Sequence, residues 1–225
     1  MFQVSDRWKA AFPDAHAGVL IMRGVVNPVQ HAGLDVQKHA LEEQLRSRFS
    51  GTDRSVIENH PVLRAYRAYY HRFKKTYPVQ LQLDSIVFKG KTIPSVAALV
   101  EAMFMAELNY LLLTAGHDLD SLHLPVTLDV SDGTEHYMLL RGQEQTLKPG
   151  DMMMTDGAGV ISSILYGPDQ RTSINAGTRN VMFTTYAPAG IDEPVVQEHL
   201  RDIQRNVQLV APDAQVELLK VFGAS

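Results

Sequence analysis

The chain has 225 residues, 45% of them apolar, with 21 basic and 25 acidic side chains, a net charge of −4 and no cysteine. That length holds one large domain or two small ones around a sizeable core, and the composition excludes intrinsic disorder. The missing cysteines exclude disulfides, thiolate zinc sites, iron–sulfur clusters and cysteine nucleophiles, and the charge balance confines any RNA contact to a local patch.

Met1 to His16 mixes Asp6, Arg7, Lys9 and Asp14 with apolar residues, which is no signal-peptide core. The longest apolar stretch, Val96 to Leu113, is interrupted by Glu101, Glu107 and Asn109, too polar for a bilayer span. A soluble, cytoplasmic protein without a membrane partner is expected. Ala17 to Met22, continuing through Gly24 to Val26, reads as a buried strand stopped at Asn27-Pro28. Leu34, Leu41, Leu45 and Phe49 recur at helical spacing. Pro61 opens a second helix with Leu63, Tyr66, Tyr70 and Phe73 on one face. A third helix is predicted from Ser95, as N-cap, to Leu113.

From there the pattern turns to strands. Val126–Val130 and Glu135–Leu140 flank Asp132-Gly133 and predict a hairpin. Lys148 to Asp151 and Asp156 to Gly159 are turn signals bracketing strands at Met152–Met154 and Val160–Tyr166, and Val181–Tyr186 is another. Asp192 caps a last helix with Pro194 in its first turn and Val196, Leu200, Ile203 and Val207 as its apolar stripe. With no linker and no repeat, the expectation is a single α+β domain over residues 1–225, with helices packed on a mixed, β-sandwich-like core.

Four groups of residues carry candidate chemistry. Arg64, Arg67, Arg72, Lys74 and Lys75 are interleaved with Tyr66, Tyr69, Tyr70, Phe73 and Tyr77 and no acid. Basic groups neutralise phosphates and aromatic rings stack on unpaired bases, so the segment suits an RNA end; an amphipathic helix with core-facing aromatics reads the same way. His117-Asp118-Leu119-Asp120-Ser121-Leu122-His123 offers imidazoles and carboxylates but no recognised metal spacing, and an Asp capping a turn accounts for it; no metal and no cofactor are expected. Glu101 and Glu107 interrupt an apolar helix, so they either face solvent or one enters a pocket to meet a cation such as an α-ammonium. Ser162, Ser163, Tyr166, Asp169 and Arg171 cluster at a strand end, either as ligand groups or as a turn closed by an ion pair.

Residues Tyr77 to Thr185 resemble the B3/B4 domain, the editing module of the phenylalanyl-tRNA synthetase β subunit and its free-standing relatives. The landmarks run in order: Lys89 to Val96, Leu99 to Ala102, Gly116 to Leu122, Gly150 to Met152, Asp156 to Ile161 and Thr178 to Val181. On this alignment 77–185 forms the core, 1–76 a helical lead-in and 186–225 a closing segment. The resemblance implies an α+β fold and a role in binding tRNA or in hydrolysing a mis-attached amino acid from the tRNA 3′ end, without metal or cofactor. It implies Glu101 for the amino group, with Met103 and Phe104 in the pocket where the synthetase module carries a Thr–Asn pair. The synthetase histidine falls near Ala115, with His117 two residues on. His117, Ser162, Ser163 and Tyr166 are the candidate water-positioning or oxyanion groups, Asp169 and Arg171 the rim, and Arg64, Arg67, Arg72, Lys74 and Lys75 the RNA contacts. The expected partner is therefore tRNA or aminoacyl-tRNA, with an amino-acid-like ligand in the pocket. A non-catalytic binder that keeps the fold and an enzyme acting on a free small molecule are the alternatives.

Overall fold

The computed structural model describes residues 1–223, the Arg54 side chain excepted. The chain starts with strand β1 (Phe2–Val4) and helix α1 (Asp6–Ala11), which Ser5 caps by accepting the Trp8 N–H. Strand β2 (His16–Arg23) follows, then helices α2 (Ala32–Arg48), α3 (Arg54–Glu58), α4 (Pro61–Arg72), α5 (Pro78–Lys89) and α6 (Ala98–Tyr110). The strand-rich part comprises β3 (Leu113–Asp118), β4 (Val126–Val130), β5 (His136–Met138), β6 (Glu144–Thr146), β7 (Met152–Asp156), β8 (Gly159–Ser163), β9 (Gly167–Pro168) and β10 (Asn180–Ala187). Helix α7 (Glu193–Val210) and strand β11 (Gln215–Gly223) close the fold.

The strands form a four-stranded sheet in the order β11-β2-β10-β3, a five-stranded sheet in the order β1-β4-β7-β8-β9, and the separate pair β5-β6. Between His16 and Arg23 at its ends, β2 is apolar from Ala17 to Met22 and is buried there on both faces. Val19 and Ile21 join a core shared with Leu128, Met152, Met154 and Ile161 of the five-stranded sheet. Leu20 and Met22 point the other way, into a core with Leu99, Ala102 and Met103 of α6 and Leu200, Ile203 and Val207 of α7. Helix α7 approaches so closely that a Cβ on Gly18 of β2 would lie 2.8 Å from Val196 Cγ1, so only glycine fits there. The apolar stripe of α7 is buried as its spacing predicts.

The α+β architecture follows the sequence expectation, and two local expectations are corrected. Val126–Val130 does not form a hairpin across Asp132-Gly133: β4 pairs parallel with β1 and antiparallel with β7, while β5 pairs with β6. The chain's first residues supply β4 with a partner that no local turn signal announces. Ser95 is not the N-cap of α6, which is Ala97; the Ser95 hydroxyl instead accepts from Lys38 Nζ at 2.9 Å. Helix α5 and strand β11 were not anticipated. β11 is an edge strand of mostly half-exposed or exposed residues, so it lacks an apolar run. Among the described residues no helix is long and apolar enough to cross a membrane.

Candidate functional site

Helix α4 owes its place to its aromatics. Tyr66 donates to the Tyr186 carbonyl and accepts the Leu113 N–H at 2.9 Å, and Tyr70 donates to the Ile164 carbonyl at 2.5 Å. Tyr77 stacks on Tyr66 with ring centroids 4.1 Å apart. Tyr66, Tyr69, Tyr70, Phe73 and Tyr77 are all buried, so the core-facing reading describes these rings, and none is available to stack on a base.

Between α4, α5, α6, β3 and the segment after β8 lies a cavity of about 410 Å³. Val79, Val100, Met103, Phe104, Ala115, Ile164, Leu165 and Ile174 give it a largely apolar lining. Gly116 in its wall lets Ile174 pack close, since a Cβ there would lie 2.6 Å from Ile174 Cδ1 and would displace that side chain. Polar groups enter at Glu107, Thr114, Ser163, Tyr166 and Tyr186. Glu107, Thr114, Ser163 and Tyr186 are buried, whereas Tyr166, Phe104 and Gln82 are partly open and Leu140 is exposed, which defines a polar floor and an open mouth.

Of the candidate residues, Met103, Phe104, Ser163 and Tyr166 line this cavity. Glu101 does not. Its carboxylate is buried against Lys38 Nζ at 2.8 Å and accepts the Val96 N–H at 2.8 Å, tying α2 and the loop before α6 together. The acid of α6 that reaches the cavity is Glu107. Oε1 accepts the Thr114 N–H at 2.7 Å, no basic side chain offsets its burial among the described residues, and burial pushes its pKa up to about 8. Thr114 in turn hydrogen-bonds His199 Nε2 at 2.6 Å, whose pKa burial lowers to about 4.

Ser162 and Ser163 point to opposite faces of β8. Ser162 hydrogen-bonds the Tyr186 hydroxyl at 2.7 Å, while Ser163 opens on the cavity and accepts the Tyr166 N–H at 3.2 Å. Beside Ser163 lies Asp151, fully buried, which the sequence marks as a turn residue and as part of the Gly150–Met152 landmark but not as a site residue. Burial raises its pKa to about 7, against the lowering influence of the Tyr69 and Ser163 hydroxyls, the Leu165 N–H and Lys75. Its Oδ2 has no hydrogen-bond partner among the described residues. Nothing in the sequence near Gly150-Asp151 marks that burial.

His117, Asp169 and Arg171 form a second polar group that does not line the cavity. His117 Nδ1 meets Thr172 Oγ1 at 2.7 Å, and the Thr172 hydroxyl donates to Asp169 Oδ1. Burial lowers the His117 pKa to about 3, so the ring is neutral. Arg171 makes a bidentate pair with Asp156 at 2.8 and 3.0 Å. Asp118 caps the turn after β3 by accepting the Asp120 N–H at 3.0 Å and takes the Thr178 hydroxyl at 2.7 Å, the capping arrangement weighed from sequence. No group of three His, Asp or Glu side chains is arranged to hold a metal among the described residues.

The basic residues separate. Arg64 and Arg67 line an open groove with His71 and Gly190. The Arg72 guanidinium lies over Phe12, Tyr69 and Phe73 at 5.5–5.8 Å. Lys75 is half-buried with Nζ 4.2 Å from the Tyr166 ring centroid, close to the cavity mouth, and Lys74 is exposed.

Comparison with known proteins agrees with this architecture. A phenylalanine–tRNA ligase β subunit from Mycoplasma pneumoniae is 31% identical over 67 residues, which is 30% of this chain and 8% of that protein. The crystal structure of an N-terminal fragment of the phenylalanyl-tRNA synthetase β subunit from Pyrococcus horikoshii shares the fold, with a TM-score of 0.51 and 12% identity over 96% of this chain and 50% of that one. The chain thus spans only part of either relative. The family model of the B3/4 domain matches residues 62–220, which contain the cavity and every landmark noted in the sequence, and the chain belongs to that family.

Proposed function

We propose that this chain hydrolyses the ester that joins an amino acid to the 3′ end of a tRNA. The observation that carries the reading is the cavity itself: apolar walls over a floor holding Glu107, Ser163 and Tyr186 in a B3/4-family chain. The apolar walls take the amino-acid side chain. Water adds to the ester carbonyl carbon, and the tetrahedral oxyanion collapses to expel the ribose oxygen, which leaves protonated. The Ser163 hydroxyl orients the water or donates to the oxyanion, with Asp151 behind it titrating near neutrality. Tyr166 closes one side of the mouth. Arg64 and Lys74, both exposed, and the half-buried Arg67, 3.6 Å from Glu58, are the cations offered to RNA phosphates.

Release of amino acid from a panel of mischarged tRNAs tests this. Turnover of at least one member above the buffer rate is expected, and no release from any of them overturns the reading. Met103 and Phe104, apolar where the resemblance implies a polar pair, favour a second reading in which the domain captures aminoacyl-tRNA without hydrolysis. Tight, salt-sensitive binding with no turnover selects it.

A further inference from the structure

We infer that the cavity takes a primary ammonium group carried on an apolar frame, and that Glu107 meets it as a carboxylate. The inference rests on the reading of this cavity as the site of the aminoacyl group and names what that group must carry: a free, unblocked amine.

A buried acid is normally paired with a cation inside the fold, as Glu101 is with Lys38. Glu107, 2% exposed and six residues further along the same helix, has no such partner among the described residues. Its neighbours are all neutral. Thr114 offers an N–H and α5 contributes Gln82 to the cavity. Helix α4 and the turn after it bring the buried hydroxyls of Tyr66, Tyr70 and Tyr77, and His199 of α7, linked through Thr114, is uncharged. The positive charge that would complete the site is therefore absent among the described residues and has to arrive with the ligand. Glu107 is the acid that lines the cavity, with Asp151 set behind Ser163, and apolar walls around them accept a hydrocarbon frame and reject an anion.

Entry of the cation changes the protonation of the site. With its pKa pushed up to about 8, Glu107 is largely protonated at pH 7 while the cavity is empty. An ammonium favours the carboxylate, so the pair forms as the acid loses its proton to solvent: R–NH3+ plus Glu–COOH gives the R–NH3+ carboxylate pair plus H+. Binding then releases up to about one proton per ligand at pH 7, and affinity rises with pH by up to about tenfold per unit until the carboxylate forms unaided. An N-acylated aminoacyl group has no charge to offer and is excluded, so the site separates aminoacyl esters from formylated or peptidyl ones.

Calorimetry with n-butylamine, which stays charged between pH 6 and 9, measures affinity and, in buffers of different ionisation enthalpy, the protons released. Leucinamide, Nα-acetyl-lysinamide and N-acetyl-leucinamide test an α-ammonium, a side-chain ammonium and no ammonium. Amine binding with the stated pH slope, proton release near one, loss of both in Glu107→Gln, and no binding of N-acetyl-leucinamide are expected. Absence of amine binding, pH-independent binding, or equal binding by Glu107→Gln overturns the inference, and so does equal hydrolysis of free and N-acetylated aminoacyl-tRNA. Amine binding as described, without deacylation of any tRNA, keeps the inference and removes the hydrolase reading instead.

Discussion

The Tyr69 hydroxyl donates to Asp151 Oδ1 at 2.9 Å and accepts the Met152 N–H at 2.7 Å, so one side chain joins helix α4 to the start of strand β7. Both partners are buried, and Asp151 Oδ2 has no hydrogen-bond partner among the described residues. Tyr69→Phe leaves a buried N–H and a buried carboxyl oxygen unsatisfied, each costing about 1–3 kcal/mol. A loss of about 2–4 kcal/mol in denaturant unfolding at pH 7 is expected; a change under 0.5 kcal/mol contradicts the linkage.

Stability should fall as pH rises above 6.5. Glu107 and Asp151 have folded-state pKa values raised to about 8 and about 7, so the stabilisation they contribute is complete below their unfolded pKa values and is lost as pH climbs through the folded ones. His117 and His199 are lowered to about 3 and about 4, so their contribution is complete above the unfolded value and is lost as pH falls. Between about pH 4.5 and 6.5 the two slopes oppose one another; above 6.5 only the acids act. The expected loss from pH 6.5 to 8.5 is about 2–3 kcal/mol, most of it absent in Glu107→Gln. Unfolding curves across that range check it.

Lys38 carries a different load. Its ammonium contacts Glu101 at 2.8 Å, Asp35 at 2.9 Å and Ser95 at 2.9 Å, and both Lys38 and Glu101 are buried. Lys38→Met strands the Glu101 carboxylate and should cost about 3–5 kcal/mol, while Lys38→Met with Glu101→Leu recovers much of it because no charge is left buried. A double-mutant cycle by urea unfolding shows the coupling, and strictly additive losses would refute it.

Arg72 and Arg64 should behave oppositely although both were grouped as RNA contacts. Arg72 lies over three rings, so Arg72→Ala is expected to lower stability by about 1–2 kcal/mol. Arg64 is exposed, and Arg64→Ala should stay within about 0.5 kcal/mol of wild type. Reversing Arg64 and Arg67 to Glu should weaken tRNA binding and reduce its salt dependence, which a filter-binding series at several salt concentrations measures.

Ser163→Ala should slow aminoacyl-tRNA hydrolysis about 100-fold, the scale of one lost donor at a developing oxyanion, while leaving the melting temperature within a few degrees. Initial rates and a melting scan on the same preparation separate the two effects. Full activity in the variant would remove Ser163 from the reaction.

Much of this fold is written in local patterns. The stripe of α7, Pro61 at the start of α4 and the continuous apolar run of β2 each encode an element because burial repeats with the period of that element. Pairing is not local. β4 takes β1 as its parallel partner from more than a hundred residues away, and the Asp132-Gly133 turn signal offers a cheaper hairpin that the tertiary fold does not use. Strand β11 completes the four-stranded sheet with a pattern too exposed to announce itself.

The length, the charge balance and the absent cysteines bound the chemistry, and the ordered landmarks from Lys89 to Val181 point to the B3/4 family. What they left open was which acid faces the ligand. Glu101 and Glu107 lie six residues apart, so helical periodicity turns them about 120° from each other whatever surrounds the helix. That angle says the two acids have different neighbours but not which has the cavity. Only the packing of α6 against α2 on one side and β3 on the other decided it, giving Glu101 a lysine and leaving Glu107 at the floor of an apolar pocket.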